Sequence, residues 1–155
     1  MKRLLLYIMV IGAALLIPEQ GTDVGKLQPV ELIFLYKDEG EIVLETDTGG
    51  MGRGETLAEA YQDLEDTTPG TLFLDTADYL LVARSARTLV PQMAAYMKVN
   101  TGVCQAEKGT DLVLAAEYLG VHQPEKTLRT LKETDKLSVL KQEKKDEKII
   151  LKIYN

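Results

Sequence analysis

The segment from Gly49 to Leu64, GGMGRGETLAEAYQDL, constrains the fold more than any other part of the chain. Gly49, Gly50, Gly52 and Gly54 stand directly before a run with helical periodicity. Leu57, Ala60, Tyr61 and Leu64 recur at i, i+3, i+4 and i+7, which gives one apolar helix face. Thr56 and Glu59 form a capping box, in which hydroxyl and carboxylate satisfy amides that a helix start leaves unpaired. Glu55, Glu59, Asp63, Glu65 and Asp66 cover the remaining surface, and the early acids suit the positive end of the helix. The segment therefore predicts a glycine-rich connection running straight into a short, well-capped helix.

Such a connection raises a chemical question. The phosphate-binding pattern G-x-x-x-x-G-K-[ST] cradles phosphates with backbone amides and neutralises them with its lysine. Gly49, Gly54 and Thr56 keep that spacing, but Glu55 occupies the lysine position, where a carboxylate repels a triphosphate. The dinucleotide pattern G-x-G-x-x-G fails as well, because the third glycine is missing whether it starts at Gly50 or Gly52. The glycines are expected to form a tight strand-to-helix turn with positive-φ positions and a mobile tip. A ligand at that loop would touch Gly49, Gly50 and Arg53. No cofactor and no metal are expected: no His/Cys cluster and no nucleophile elbow occurs in the sequence.

The chain of 155 residues is sized for one domain, and its 45% hydrophobic content supports a core. A net charge of −6 disfavours a nucleic-acid partner. The charge is uneven: Arg53 is the only base between Asp38 and Asp78, whereas bases outnumber acids after Glu125. A solvated acidic face accounts for this, with an acidic docking surface as the sharper reading. The single cysteine, Cys104, excludes an internal disulfide and reads as a small apolar core residue. The only histidine, His122, lacks any local signature that would pair it with Cys104 for catalysis and reads as an exposed loop residue.

The N-terminus reads as an address. Lys2 and Arg3 precede an apolar run from Leu4 to Ile17, ended by Pro18, which is the form of a secretory signal. The run is shorter than the ~20 residues of a spanning helix. Residues 1–18 are expected to be a signal peptide, cleaved after about Ala14, or a short membrane anchor. Residues 19–28, polar and carrying Gly21 and Gly25, read as a linker.

The folded part is expected over residues 29–137. In VELIFLY, Val30, Leu32, Phe34 and Tyr36 alternate onto one face, and EIVLET follows after KDEG, so the two runs predict a β-hairpin with Gly40 at the turn. After the helix of residues 56–64, TTPG supplies a stop. Residues 72–74 and 79–83 read as strands. A helix is expected from about Arg84, with a break at Leu89–Val90 and a new helix from Pro91. Met93, Ala94 and Met97 give that helix a core-filling face. VCQA is a further strand. TDLVLAAEYLG is a short helix between an early Asp and Gly120. Pro124 is expected to open another helix with Leu128, Leu131 and Leu137 inward. Residues 138–155 read as a charged tail whose IILKIY forms a last strand, paired within its own sheet or with another chain. The order β-β-α-β-α-α-β-α-α predicts an α+β fold: a small mixed β-sheet packed with helices, in a single domain.

The run GRGETLAEAYQDL resembles the G-x-G-x-T-[LF]-x-E-A segment of the Ger(x)C proteins, the C subunits of spore germinant receptors. Gly52, Gly54, Thr56, Leu57, Glu59, Ala60 and Leu64 are the matching positions. The order of the elements from about residue 26 to residue 119 is similar to the N-terminal domain of that family. Two departures stand beside the resemblance: the sequence lacks a lipid-bearing cysteine near its start, and family members carry further domains after this one. The chain looks like a stand-alone, short version of that domain. The resemblance implies a non-enzymatic protein outside the cytoplasm, at the spore inner membrane, working with membrane-protein partners. The expectation is thus an exported or membrane-tethered module that binds protein partners in germination or sporulation. The alternative is an exported small-ligand, nucleotide or anion binder, or an enzyme, using the loop of residues 49–54.

Overall fold

The fold is given by a computed structural model, described over residues 27–132, 135–145 and 148–154. The signal or anchor expected at residues 1–18 and most of the expected linker lie outside the described residues. Near the end of that linker, Leu27–Pro29 (β1) is a strand, paired in parallel with Thr71–Phe73 (β5) as a separate two-stranded sheet.

The main sheet has seven strands. Leu32–Asp38 (β2) and Glu41–Thr46 (β3) form the expected hairpin. Glu39 (φ 52°) and Gly40 (φ 97°) make its two-residue turn, the left-handed pair that matches strand twist. Met51–Gly54 (β4) pairs with β3 and forms one edge. Tyr79–Val82 (β6) and Gly102–Gln105 (β7) run parallel to β2. Val139–Lys145 (β8) and Lys148–Tyr154 (β9) form a second hairpin, with β9 as the other edge. The order across the sheet is β4-β3-β2-β6-β7-β8-β9. The expected α+β class with a mixed sheet in one domain is what the chain adopts.

Helices cover both faces. Leu57–Thr67 (α1) buries Leu57, Ala60 and Leu64 against Ile33, Leu35, Ile42 and Leu44. The same face takes the 3-10 turn Arg84–Leu89 and the short helix Val90–Met93 (α2), which bury Ala86, Val90 and Met93. At Leu89–Val90, where Pro91 was expected to place a break, the chain stays helical and changes from 3-10 to α geometry, with Pro91 in the first turn of α2. On the opposite face Leu112–Val121 (α3) packs Leu112, Ala115, Ala116 and Leu119 over Leu32, Phe34, Leu81 and Cys104. Asp111 caps α3 by accepting from the Leu114 amide at 3.1 Å. Because helices lie on both sides, β2 is buried on both faces: Ile33 and Leu35 point one way, Leu32, Phe34 and Tyr36 the other. The alternation read from Leu32, Phe34 and Tyr36 is real, but Val30, expected on the same face, lies before β2 and packs with Ile33 and Leu35 on the other, and that complement is equally apolar.

Met93 and Met97 are buried as expected, but Ala94, expected on the same core-filling face, is exposed at the C-cap of α2. Four further expectations are corrected. The glycine segment is a strand and not a loop; only Gly49 in it has positive φ, at 87°. Gly120 lies within α3, which ends at His122. No helix starts at Pro124. Instead the Leu128 and Arg129 amides donate to Thr101 and Val99 carbonyls at 3.0 and 2.8 Å, and the Val103 amide donates to the Lys126 carbonyl at 2.8 Å. The segment is held beside β7 by these bonds, which compete with helical ones, yet Leu137 is buried and Leu128 and Leu131 pack against the core as expected. Finally, the charged run before IILKIY is itself strand β8, so residues 138–155 supply a whole hairpin. Leu140 and Leu151 anchor it in the core beneath α3.

Candidate functional site

Each residue of the glycine–threonine–glutamate motif has a mechanical role. The chain reverses over two residues, Glu55 and Thr56, and α1 returns across its own strand. A Cβ placed on Gly52 would lie 2.2 Å from the Ala60 carbonyl oxygen and 2.4 Å from the Leu64 nitrogen. One placed on Gly54 would lie 2.5 Å from the Ala60 nitrogen. These contacts are with helix backbone, which cannot swing aside. Gly52 and Gly54 are therefore the floor on which α1 rests, and Ala60, fully buried, is the small residue that faces them.

The helix start is closed to a phosphate. Glu59 Oε2 accepts from the Glu55 and Thr56 amides at 2.9 and 3.3 Å, and the Thr56 hydroxyl accepts from the Glu59 amide at 3.2 Å. Three of the amides that a phosphate at this helix start would draw on, those of Glu55, Thr56 and Glu59, are thus occupied by the chain's own side chains. Arg53 is turned to the edge of the sheet, 3.7 Å from Asp38 and 3.8 Å from Glu41. Asp38 in turn accepts from Lys108 at 2.7 Å, a hydrogen bond that holds its carboxyl below the ordinary range. Gly49, Gly50 and Arg53 do not converge: Arg53 joins this exposed ionic cluster, and the two glycines lie at the far end of β4.

Two residues that the sequence reading passed over seal the β4 edge. The Arg53 amide donates to Asp63 Oδ2 at 2.8 Å. The Thr67 hydroxyl shares its proton between the Met51 carbonyl at 3.0 Å and its own helix's Asp63 carbonyl at 2.7 Å. Asp63 and Thr67 stand four apart on α1, one helical turn along the flank of the Ala60–Leu64 stripe. That spacing is the signal that points to them once α1 is known to lie over β4.

Two hollows remain. A shallow one of about 430 Å3 is lined by Thr48, Gly49, Gly50, Met51, Thr67, Thr68 and Pro69. Among the described residues, the Thr68 hydroxyl at its margin is the buried side-chain oxygen without a hydrogen-bond partner. The larger, about 490 Å3, lies between α2 and the segment that follows α3. Val90, Pro91, Ala94, Leu128 and Leu131 give it an apolar lining, with Arg87 and Lys132 at the rim. Arg87 is braced by donating to the Asp135 carbonyl.

Catalytic chemistry is not assembled from Cys104 and His122. The Cys104 thiol is fully buried, donates to the Ser138 carbonyl at 2.9 Å, and is pushed up to about 12 by burial. His122 is exposed and stacks on Tyr118 with ring centroids 4.3 Å apart. Among the described residues no group of His, Cys, Asp and Glu is placed to hold a metal ion, and no helix is long and apolar enough to cross a membrane. Comparison with protein-family models, with curated proteins and with solved structures gave no significant match in any of the three.

Proposed function

We propose that the chain is a non-enzymatic, exported or membrane-tethered module that binds protein partners, with spore germination or sporulation as its setting. The observation that carries the binding part is the cavity of about 490 Å3, concave and apolar with a cationic rim at Arg87 and Lys132. It suits an apolar side chain flanked by an acid on a partner's surface. The basic start and apolar run of residues 2–17 support export or tethering. The resemblance of residues 52–64 to the Ger(x)C segment supports a partner embedded in a membrane. The test has two parts. Cell fractionation should recover the chain outside the cytoplasm or with membranes; recovery in the soluble cytoplasm rejects the location. Ala94→Trp, at an exposed position on the cavity wall, should abolish co-purification of a membrane partner from sporulating cells while leaving the fold intact. Unchanged co-purification moves the binding surface elsewhere.

The second reading, a small-ligand or anion binder at residues 49–54, keeps one observation in its favour: the hollow beside Gly49 and Gly50 with the unpartnered Thr68 hydroxyl. Titration calorimetry with phosphate and nucleotides, repeated on Thr68→Val, tests it. Heat of binding that vanishes in the variant would favour this reading over the first.

A further inference from the structure

The outer edge of β9 is built to pair. Ile153 donates its amide to the Tyr118 hydroxyl at 3.3 Å, so its peptide groups point away from β8, and with them those of Leu151 and Ile149 by the alternation of an antiparallel ladder, while the Leu151 side chain stays buried. Among the described residues that one long bond is the only cover given to the outward peptide groups of β9. Ile149, Ile150 and Tyr154 are exposed there, at 41, 37 and 44%. The hairpin is thinly attached at its far end: β7 meets β8 at a single register pair, Gln105 with Val139, and past Leu140, Leu151 and the bond from the Asp111 amide to Gln142, Glu143–Lys145 and Lys148–Ile150 form a two-stranded tip. Such a ribbon is marginal alone in water.

Edge lysines ordinarily discourage pairing. Lys152 is drawn the other way, inward across the hairpin to Glu143 at 3.0 Å. That leaves the choice of partner to register. We propose that β9 pairs antiparallel with β9 of a second copy of this chain, symmetric about Leu151. Residues on the same face pair only when their numbers sum to an even value, because opposed side chains share a face. Centring on Ile150 puts Lys148 against Lys152, and centring on Lys152 puts it against itself. Centring on Leu151 avoids both and uses the whole strand: Lys148 meets Tyr154, Ile149 meets Ile153, Ile150 meets Lys152, and Leu151 meets its symmetry mate. The residues with outward peptide groups, Ile149, Leu151 and Ile153, pair with one another, as a hydrogen-bonded ladder requires. The Tyr118 hydroxyl gives up its bond to Ile153, and the two sheets become one. This inference is independent of where the chain resides.

The test is sedimentation velocity of the full chain in a non-ionic detergent. A species of twice the 17.2 kDa chain mass is expected. Ile149→Pro removes an outward amide that the hairpin does not use and should give the single-chain mass with an unchanged circular dichroism spectrum. Register is read by mild oxidation, since buried Cys104 is inaccessible. A mixture of Ile150→Cys and Lys152→Cys chains, both at exposed positions, should form a covalent dimer and Ile150→Cys alone should not, because residue 150 lies opposite 152. A wild-type monomer, a persistent dimer in Ile149→Pro, or cross-linking of Ile150→Cys alone as readily as of the mixture overturns the proposal.

Discussion

The two edges of the main sheet are managed in opposite ways. β4 is short and carries no side chain at Gly52 and Gly54, so α1 settles on it and lends Asp63 and Thr67 to its free peptide groups. β9 is seven residues long, exposes isoleucines, and receives one hydroxyl from Tyr118. A sealed edge costs side chains in the sequence around it, which is why the motif of residues 52–67 is so dense. An open edge leaves its sequence free to suit something outside the fold.

The comparison is broken most severely at the floor under α1. Gly52→Ala should destabilise the chain by at least the ~3 kcal/mol that marks the upper range of overpacking, because the new Cβ meets helix backbone; urea denaturation measures it. Denaturation should also show that Ile150→Ser, on the open edge, changes little. Raising the pH probes the sheet between the edges. Burial lifts Cys104 from its ordinary 9.0 to about 12, and Tyr61 from 10.0 to about 12 by burial and by donating to Glu65. Both values are raised by folding, so their contribution is complete below pH 9 and is lost as pH rises toward 12. The melting temperature should fall across that window and fall less in Cys104→Ala than in the wild type, each relative to its own value at pH 8. Next in size is the cap: Thr56→Ala should cost about 1 kcal/mol, and Thr56→Ser should recover most of it. Asp63→Ala should cost roughly 1 kcal/mol and, by unsealing β4, make the Arg53 amide exchange faster with solvent by NMR. The smallest effect belongs to the open edge. Lys152→Ala removes an exposed ion pair and should leave the denaturation midpoint unmoved, while the Glu143 carboxyl, held low chiefly by its hydrogen bond from Lys152, should titrate closer to its ordinary value.

What was legible in the sequence follows from the range of the forces involved. The turn at Glu39–Gly40 and the capping box are set by residues within a few positions of one another, and they appear as read. Gly52 and Gly54 were visible as a pattern, but their purpose was not, because the atoms they make room for belong to Ala60 and Leu64 across a chain reversal. The segment after Pro124 carries leucines at helical spacing and still makes only a single turn at Thr127–Leu131, because the Leu128 and Arg129 amides go to the Thr101 and Val99 carbonyls just before β7 instead of into a fourth helix. The charged run at residues 141–145 looked like a tail because only Val139 and Leu140 in β8 are apolar; its strand character comes from pairing with β9. The cavity lined by Val90 and Leu128 joins positions nearly forty residues apart and leaves no periodic trace.

The small β1–β5 sheet has a mechanical consequence. Leu27, Gln28 and Pro29 run parallel to Thr71, Leu72 and Phe73, and β1 leads directly into β2, an interior strand of the main sheet. A pull on the chain upstream of Leu27 therefore acts along the axis of β1 and loads its contacts with β5 together, in shear, instead of peeling them one at a time. Whatever precedes Leu27, tension reaching the domain meets that clamp before it reaches the core.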